Sequence, residues 1–262
     1  MNKELLMAYN EYNKIEHEKP YTYILNKNNQ YLYYFGSRHS YDPTDAQFPI
    51  IEKFWSEFTK QTDGQKRIVF LEGGNRPALE TKEKAISEGG EMHFVAYLAK
   101  QENIETSSPE PSDGSQFEEG LKLFSKEEVA YYFFARVCYQ WNRMIDKPDF
   151  ETYINRFLVR DAKSSGWVDF DFSIKHFSNI HKKIFDTDFN KDDKDFFYSI
   201  INPTTEKSIT NKVSRFIGSE LRDIHILEEI EKVWKEGFSL FIIYGCSHAV
   251  IQEPVLRDLI EK

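Results

Sequence analysis

The sequence predicts a mixed α/β fold. We expect a central, mostly parallel sheet with one antiparallel edge strand, helices around it and a helical insertion. Short apolar runs that end in glycine or a charged residue predict buried strands, and stretches of helical periodicity separate them. Residues 117–215 show helical periodicity without a buried strand. A chain of 262 residues can bury one large core, so we expect a single domain over 1–262 with the insertion at 117–215.

Four apolar runs predict the parallel strands. Their predicted last residues are Phe35, Leu71, Ser107 and Tyr244. A further run at residues 21–25 is separated from the next strand by the polar residues 26–30. A polar turn of this kind between two strands predicts a hairpin, so residues 21–25 are expected to form the antiparallel edge strand.

Apolar residues recur at helical spacing between and after these runs. The main predicted helices cover residues 2–16, 46–60, 78–101, 126–145, 209–235 and 254–260. Adjacent glycines at Gly89 and Gly90, and a glycine at Gly218, predict breaks within two of these helices.

Composition excludes several classes of protein. The net charge is −9, and no basic stripe stands out, so we expect no nucleic-acid partner. The two cysteines, Cys138 and Cys246, form no CxxC pair, which fits a reducing compartment. The first twenty residues lack an apolar signal core, and no run approaches the ~20 apolar residues that span a bilayer. We therefore expect a cytoplasmic protein without a membrane span. The oligomeric state is left open.

Two strands end in the same local pattern. The runs YLYYFGSRH and FSLFIIYGCSH both contain Gly–x–x–His, which places His39 and His248 just beyond predicted strands. Glu72 directly follows the strand RIVFL, and Glu110 follows the strand that ends at Ser107. Because ligands bind at the carboxyl ends of parallel strands, we expect these four side chains to lie along one edge of the sheet.

Two imidazoles with one or two carboxylates form a mixed nitrogen and oxygen ligand set. Such a set suits Zn, Mn, Fe or Co better than Ca or Mg. A metal-bound water would supply a nucleophile at neutral pH, and Arg222 could stabilise an oxyanion. Each residue also has a simpler interpretation as a turn, capping or surface residue. Cys246 beside His248 additionally allows a Cys–His nucleophile.

The order of these motifs resembles the TraB/Tiki superfamily. The matching segments are FGSRH, FLEGG, GGEMHFVAYLAK with PEP, SELRD and GCSH, within residues 31–111 and 219–250. That superfamily groups TraB-like and PrgY-like proteins with Tiki peptidases and has erythromycin esterase-like and ChaN-like relatives. The resemblance implicates Gly36, His39, Glu72, Glu91, Glu110, Arg222, Asp223, Gly245 and His248. The sequence departs from the pattern at Ser37-Arg38, where a pair such as Thr-Ile is typical, and lacks the membrane segment of many members.

The resemblance implies a mixed α/β fold and, in Tiki-like members, metal-dependent peptide hydrolysis. We therefore expect a hydrolase of peptide or ester bonds in a peptide or small molecule, with a divalent transition metal. The predicted metal ligands are His39, His248, Glu72 and Glu110. The predicted catalytic residues are Glu72, Glu91, Glu110, Arg222 and Asp223. Two alternatives stay open: a non-catalytic binding or signalling protein, and a metal-free hydrolase of the erythromycin esterase-like type that uses His and Glu.

Overall fold

The computed structural model describes residues 1–144 and 146–261. The chain divides into two compact units. The first unit joins Met1–Glu110 to Asp223–Lys262, and the second consists of Pro111–Arg222. Within the described ranges, no helix is both long and apolar enough to cross a bilayer.

A five-stranded sheet forms the centre of the first unit. Its strands are β1 (Tyr21–Lys27), β2 (Gln30–Ser37), β3 (Arg67–Leu71), β4 (Glu105–Ser107) and β5 (Ser239–Gly245). Their order across the sheet is β1-β2-β5-β3-β4. β1 pairs antiparallel with β2, and the other three pairings are parallel. The predicted mostly parallel sheet with one antiparallel edge strand is therefore confirmed.

The hairpin between β1 and β2 is tighter than the sequence predicted. Lys27 pairs with Gln30, so only Asn28 and Asn29 form the turn. Both have positive φ, 54° and 62°, a conformation that asparagine tolerates better than most residues. The strands therefore extend into the segment that was predicted as a five-residue polar turn.

Helices cover both faces of the sheet. On one face lie α10 (Leu221–Lys235) and α11 (Cys246–Glu261), and on the other lie α2 (Gln47–Gln61) and α3 (Lys82–Gln101). Alternate residues of β5 face opposite sides: Leu240 and Ile242 pack with the first helix pair, whereas Phe241 and Ile243 pack with the second. Burial on both faces explains why β5 is apolar at nearly every position.

The second unit contains helices and no strand among its described residues. Its helices are α4 (Asp113–Gly120), α5 (Lys126–Asn142), α6 (Phe150–Ser165), α7 (Ile174–Phe185), α8 (Lys194–Ile201) and α9 (Ile209–Arg215). The predicted insertion, residues 117–215, lies inside this unit. The predicted end of the helix at Ile145 lies outside the described residues. The expected break near Gly218 is a π-helical turn over Phe216–Glu220.

The prediction of one helix over residues 2–16 was wrong. A single 3-10 turn at Lys3–Leu5 and the short helix α1 (Tyr9–Tyr12) replace it. Between them the chain is not helical, because the Met7 N–H donates to the carbonyl of Ile251 in α11 at 3.2 Å. A contact with another helix thus takes the hydrogen bond that a continuous helix would need.

The start of the last helix was also predicted wrongly. α11 begins at Cys246 rather than Pro254, and Pro254 lies inside it. His248 therefore stands in the first helical turn and not in a loop. Apolar residues on both sides of the proline, such as Val250 and Leu256, are buried. Their burial outweighs the ~3 kcal/mol that an internal proline costs a helix.

Gly36, in the first Gly–x–x–His unit, is needed for packing. A Cβ at this position would lie 2.7 Å from Cβ of Ala249, 2.8 Å from the carbonyl of Tyr21 and 3.1 Å from Cα of Cys246. We expect Gly36→Ala to lower the free energy of unfolding by about 1–3 kcal/mol, the usual cost of overpacking. Urea unfolding followed by circular dichroism checks this. An unchanged midpoint would contradict the close approach of α11 to β2.

Candidate functional site

Three neighbouring strands deliver the candidate residues to one edge of the sheet. β5 lies between β2 and β3, and all three run parallel. His39 lies two residues beyond β2, Glu72 directly follows β3, and His248 is the third residue of α11, which follows β5. The structure thus brings both histidines and Glu72 to the same edge.

Glu72 contacts both the end of β5 and the side chain of His248. Its Oε2 accepts a hydrogen bond from the N–H of Gly245 at 2.6 Å, and its Oε1 lies 3.7 Å from Nε2 of His248. The Glu72 side chain is only 15% exposed. The backbone of β5 therefore fixes the orientation of this carboxylate toward the second histidine.

His248 is paired with a buried aspartate on its other side. Nδ1 of His248 lies 2.6 Å from Oδ1 of Asp223 in α10. The His248 side chain is 8% exposed and that of Asp223 is fully buried. Because a carboxylate accepts hydrogen bonds, this pairing favours the proton on Nδ1 and leaves Nε2 facing Glu72.

His39 has an equivalent partner in Glu91. Nδ1 of His39 lies 2.6 Å from Oε1 of Glu91, which also accepts a hydrogen bond from Oγ of Ser37 at 3.1 Å. The N–H of Ser40 donates to Oε2 of Glu91 at 3.3 Å. Glu91 is 3% exposed, whereas the His39 side chain is 58% exposed. Of the two imidazoles, the His39 ring is therefore the more open to solvent.

A kink in α3 puts Glu91 in reach of His39. Gly90 has φ 63° and ψ −153°, which interrupts the helix one residue before Glu91. A Cβ on Gly90 would lie 2.8 Å from the carbonyl of Ser40. Only glycine combines this dihedral with this close approach. The predicted break at Gly89-Gly90 is therefore confirmed, and it positions a residue of the site.

His39 and Glu72 approach the same point on β5. The position that a Cβ on Gly245 would occupy lies 3.4 Å from Oε2 of Glu72 and 3.7 Å from Nε2 of His39. The Nε2 atom of His39 and the Glu72 carboxylate therefore border the space left by the missing side chain of Gly245. Nε2 of His248 lies 3.7 Å from Oε1 of the same carboxylate.

The segment before His39 is held by a glutamine. Gln47, which is fully buried, accepts a hydrogen bond from the N–H of Arg38 at 3.3 Å and donates to the Arg38 carbonyl at 2.6 Å. The Arg38 side chain is half exposed and pairs with Asp45 at 2.7 Å. These contacts fix the backbone next to His39 and explain part of its orientation.

Asp223 is the centre of a buried hydrogen-bond network. Besides His248, its Oδ1 accepts from Nε2 of Gln252 at 2.6 Å, and its Oδ2 accepts from the hydroxyl of Tyr9 at 3.0 Å. Gln252 in turn accepts from the hydroxyl of Tyr34 at 2.8 Å. Burial raises the pKa of Tyr34 well above its usual value, so this hydroxyl keeps its proton and remains a donor.

Glu110 and Arg222 are the remaining residues that the sequence predicted for the site. Oε1 of Glu110 accepts a hydrogen bond from the N–H of Gly73, the residue after Glu72, at 3.2 Å. Arg222 immediately precedes Asp223 in α10 and belongs to the second unit. Their catalytic or metal-binding roles stay predictions.

The Cys246 thiol is not an activated nucleophile. Sγ lies 3.6 Å from the carbonyl of Glu18, and burial is the main reason that the Cys246 pKa is raised. A raised pKa keeps the thiol protonated and weakly nucleophilic. Nδ1 of His248 is already paired with Asp223. These contacts argue against the Cys–His alternative.

The imidazole nitrogens and carboxylate oxygens of the candidate site are atom types that bind metal ions. Their present distances, however, are not those of a complete metal site. Across residues 1–144 and 146–261, no group of three or more His, Cys, Asp and Glu side chains meets the geometry for holding a metal. Two ligand atoms about 2.1 Å from one tetrahedral ion lie about 3.4 Å apart. The 3.7 Å between His248 Nε2 and Glu72 Oε1 is close to that spacing. Buried carboxylates on both Nδ1 atoms are the usual partners of metal-binding histidines.

Sequence reasoning missed Tyr9, Ser37 and Gln252. Gln252 lies four residues after His248, on the same side of α11. That spacing would have revealed it if the helix had been predicted to begin at Cys246. Tyr9 reaches Asp223 across 214 residues of sequence, and no local pattern indicates such a contact.

Comparison of the chain with protein-family models, with curated proteins and with solved structures found no match. The resemblance to the TraB/Tiki superfamily therefore stays a prediction that rests on the motifs themselves.

Proposed function

We propose that the protein is a metal-dependent hydrolase of the TraB/Tiki type that acts on peptide or ester bonds. One observation carries the proposal: each of two histidines has its Nδ1 paired with a buried carboxylate, and Glu72, which directly follows the neighbouring strand β3, lies 3.7 Å from Nε2 of His248. Two oriented imidazoles and one carboxylate match the ligand sets of catalytic sites that hold a divalent transition metal with open positions.

His39, His248 and Glu72 are the residues that would hold the ion, through Nε2 of each ring and the carboxylate. Zn, Mn, Co and Fe all suit this nitrogen and oxygen set. When bound, such an ion supplies a water whose pKa lies near 7 and which is therefore a nucleophile at neutral pH.

The other residues act on this set. Glu91 and Asp223 orient the two rings and balance positive charge, a role that fits their burial and their 2.6 Å contacts with Nδ1. The N–H of Gly245 orients Glu72. Glu110, held by the N–H of Gly73 beside Glu72, is the candidate for proton transfer to the leaving group.

Removal and return of metal test the proposal. We expect purified protein to contain a transition metal and to hydrolyse members of a panel of peptide and ester substrates. Dialysis against a chelator should lower the rate at least ~100-fold, and Zn, Mn, Co or Fe should restore it. Elemental analysis and rate measurements check both statements.

Two results would replace the proposal. Hydrolysis that survives complete removal of metal would favour the metal-free esterase-like alternative, in which the His–carboxylate pairs act as acid and base. A folded protein that hydrolyses no member of the panel with or without added metal would favour a binding or signalling role. As a matched control, His225→Ala changes a histidine of α10 that has no place in the proposed site, and it should respond to the chelator as the wild type does.

A further inference from the structure

The N-terminal segment, which is not part of the sheet, contacts the helices α10 and α11 beside the candidate site. Besides Tyr9, several residues of the segment 3–18 contact the two helices that carry Asp223 and His248. Lys3 forms an ion pair with Glu228 of α10. The N–H of Met7 donates to the carbonyl of Ile251 in α11 at 3.2 Å, and Sγ of Cys246 donates to the carbonyl of Glu18 at 3.6 Å. We call residues 3–18 the N-terminal strap.

Tyr9 is the point at which the N-terminal strap meets the site. Its side chain is 5% exposed, and its hydroxyl donates to Oδ2 of Asp223 at 3.0 Å. The other oxygen, Oδ1, accepts from His248 and from Gln252, each at 2.6 Å. Among the donors that the structure shows for this carboxylate, Tyr9 is the one that binds Oδ2, and together with the two donors on Oδ1 it restrains the rotation of the group.

The orientation of the Asp223 carboxylate determines whether Nε2 of His248, the atom nearer Glu72, carries a proton or a lone pair. A carboxylate fixed at Nδ1 holds the proton there and leaves the lone pair on Nε2, the atom 3.7 Å from Glu72. If the carboxylate turned out of line with Nδ1, the Nδ1–H form would lose its acceptor, and the tautomer with the proton on Nε2 would gain population. Gln252 supports the arrangement because Tyr34 fixes its amide by donating to Oε1 at 2.8 Å, which leaves Nε2 to donate to Asp223.

We infer that Tyr9 and Gln252 are positioning residues, and that the N-terminal strap is thereby part of the machinery that holds the proton of the His248 ring on Nδ1. This inference rests on the proposed function for its catalytic meaning. The tautomer of His248 is a property of the folded protein and can be measured whether or not the protein is a hydrolase.

The experiment compares Tyr9→Phe with Tyr12→Phe. Both residues lie in α1 and both changes remove one hydroxyl, but only Tyr9 donates to Asp223. Two-bond proton–nitrogen correlation spectra of protein labelled with ¹⁵N-histidine report the tautomer of each ring. We expect His248 to show the Nδ1–H form in the wild type and in Tyr12→Phe, and a mixture of both tautomers in Tyr9→Phe.

Metal binding gives the second measurement. Titration with Zn²⁺ alone should show about a tenfold loss of affinity for Tyr9→Phe, at the lower end of the ~10–100-fold effect of changing a partner of a ligand. Gln252→Leu, which removes a donor from Oδ1, should show a loss of similar size. If hydrolysis is observed, kcat should fall in both variants with KM little changed, because neither residue contacts substrate.

The outcomes separate the two proposals. A wild type that hydrolyses nothing, with a tautomer change in Tyr9→Phe, would overturn the proposed function and support the positioning role. An active wild type in which both Tyr9→Phe and Gln252→Leu keep the Nδ1–H form, the Zn²⁺ affinity and kcat would overturn the positioning role and leave the proposed function standing. An Nε2–H tautomer of His248 in the wild type would also overturn the inference.

Discussion

His39→Ala is expected to abolish hydrolysis and most metal binding while leaving the fold intact. The two histidine pairs differ in exposure: the side chain of His39 is 58% exposed, whereas that of His248 is 8% exposed. Removing the His39 ring takes away one of three proposed ligands. The loss of metal affinity should therefore exceed the ~10–100-fold effect of removing a mere partner of a ligand, and kcat/KM should fall at least ~10³-fold.

The stability of His39→Ala should stay close to that of the wild type. Glu91 loses the ring but keeps the hydrogen bonds from Oγ of Ser37 and from the N–H of Ser40, so its buried charge is still solvated by donors. Thermal melting, metal analysis and substrate turnover measure the three effects. Full metal content and full activity in His39→Ala would remove His39 from the proposed site.

His39 is a better position than His248 for this test because His248 and its partner Asp223 are buried. Asp223 is fully buried and shares its Oδ1 between His248 and Gln252. Deleting the His248 ring would leave a buried carboxylate with one donor fewer, a change that destabilises proteins by itself. A loss of activity in that variant would combine a chemical effect with a folding effect, and the His39 variant separates them.

The sheet, and the edge of it that carries the candidate residues, could be predicted because both depend on local sequence patterns. Continuous apolar runs predict strands buried on two faces, and parallel strands end at one edge. His39, Glu72 and His248 follow their strands directly, so the sequence placed them without knowledge of strand order. Strand order decides which of them are neighbours, and the central position of β5 between β2 and β3 was not visible in the sequence.

The partners of the two histidines are harder to predict because they come from helices on opposite faces of the sheet. Glu91 reaches His39 from α3, whereas Asp223 reaches His248 from α10. The resemblance named both acids as site residues but did not assign one to each ring. Pairing requires the register of each helix on the sheet, which depends on packing and on the kink at Gly90. The start of α11 was missed because Pro254 suggested a boundary.

The two glycines of the Gly–x–x–His units have different physical roles. A Cβ on Gly36 would lie 2.7 Å from Cβ of Ala249, a distance that forces atoms apart. A Cβ on Gly245 would meet its neighbours at 3.4 Å or more, which is ordinary van der Waals contact, and Gly245 is not among the residues with positive φ. The glycine of the first Gly–x–x–His motif, Gly36, is therefore needed for packing, whereas that of the second, Gly245, leaves space beside the candidate site.

Gly245→Ala is accordingly expected to fold normally and to lose function. The added methyl group would lie 3.4 Å from Oε2 of Glu72 and 3.7 Å from Nε2 of His39, in the space between two proposed ligands. The free energy of unfolding should change by less than ~0.5 kcal/mol, whereas metal affinity and kcat/KM should each fall about 100-fold. Gly36→Ala should show the reverse: a lower unfolding midpoint, with metal affinity retained in the folded fraction. Urea unfolding and Zn²⁺ titration of the two variants measure this contrast. If Gly245→Ala binds Zn²⁺ and turns over substrate as the wild type does, the space beside Gly245 is not the metal site, and His39 and Glu72 do not act on a common ion.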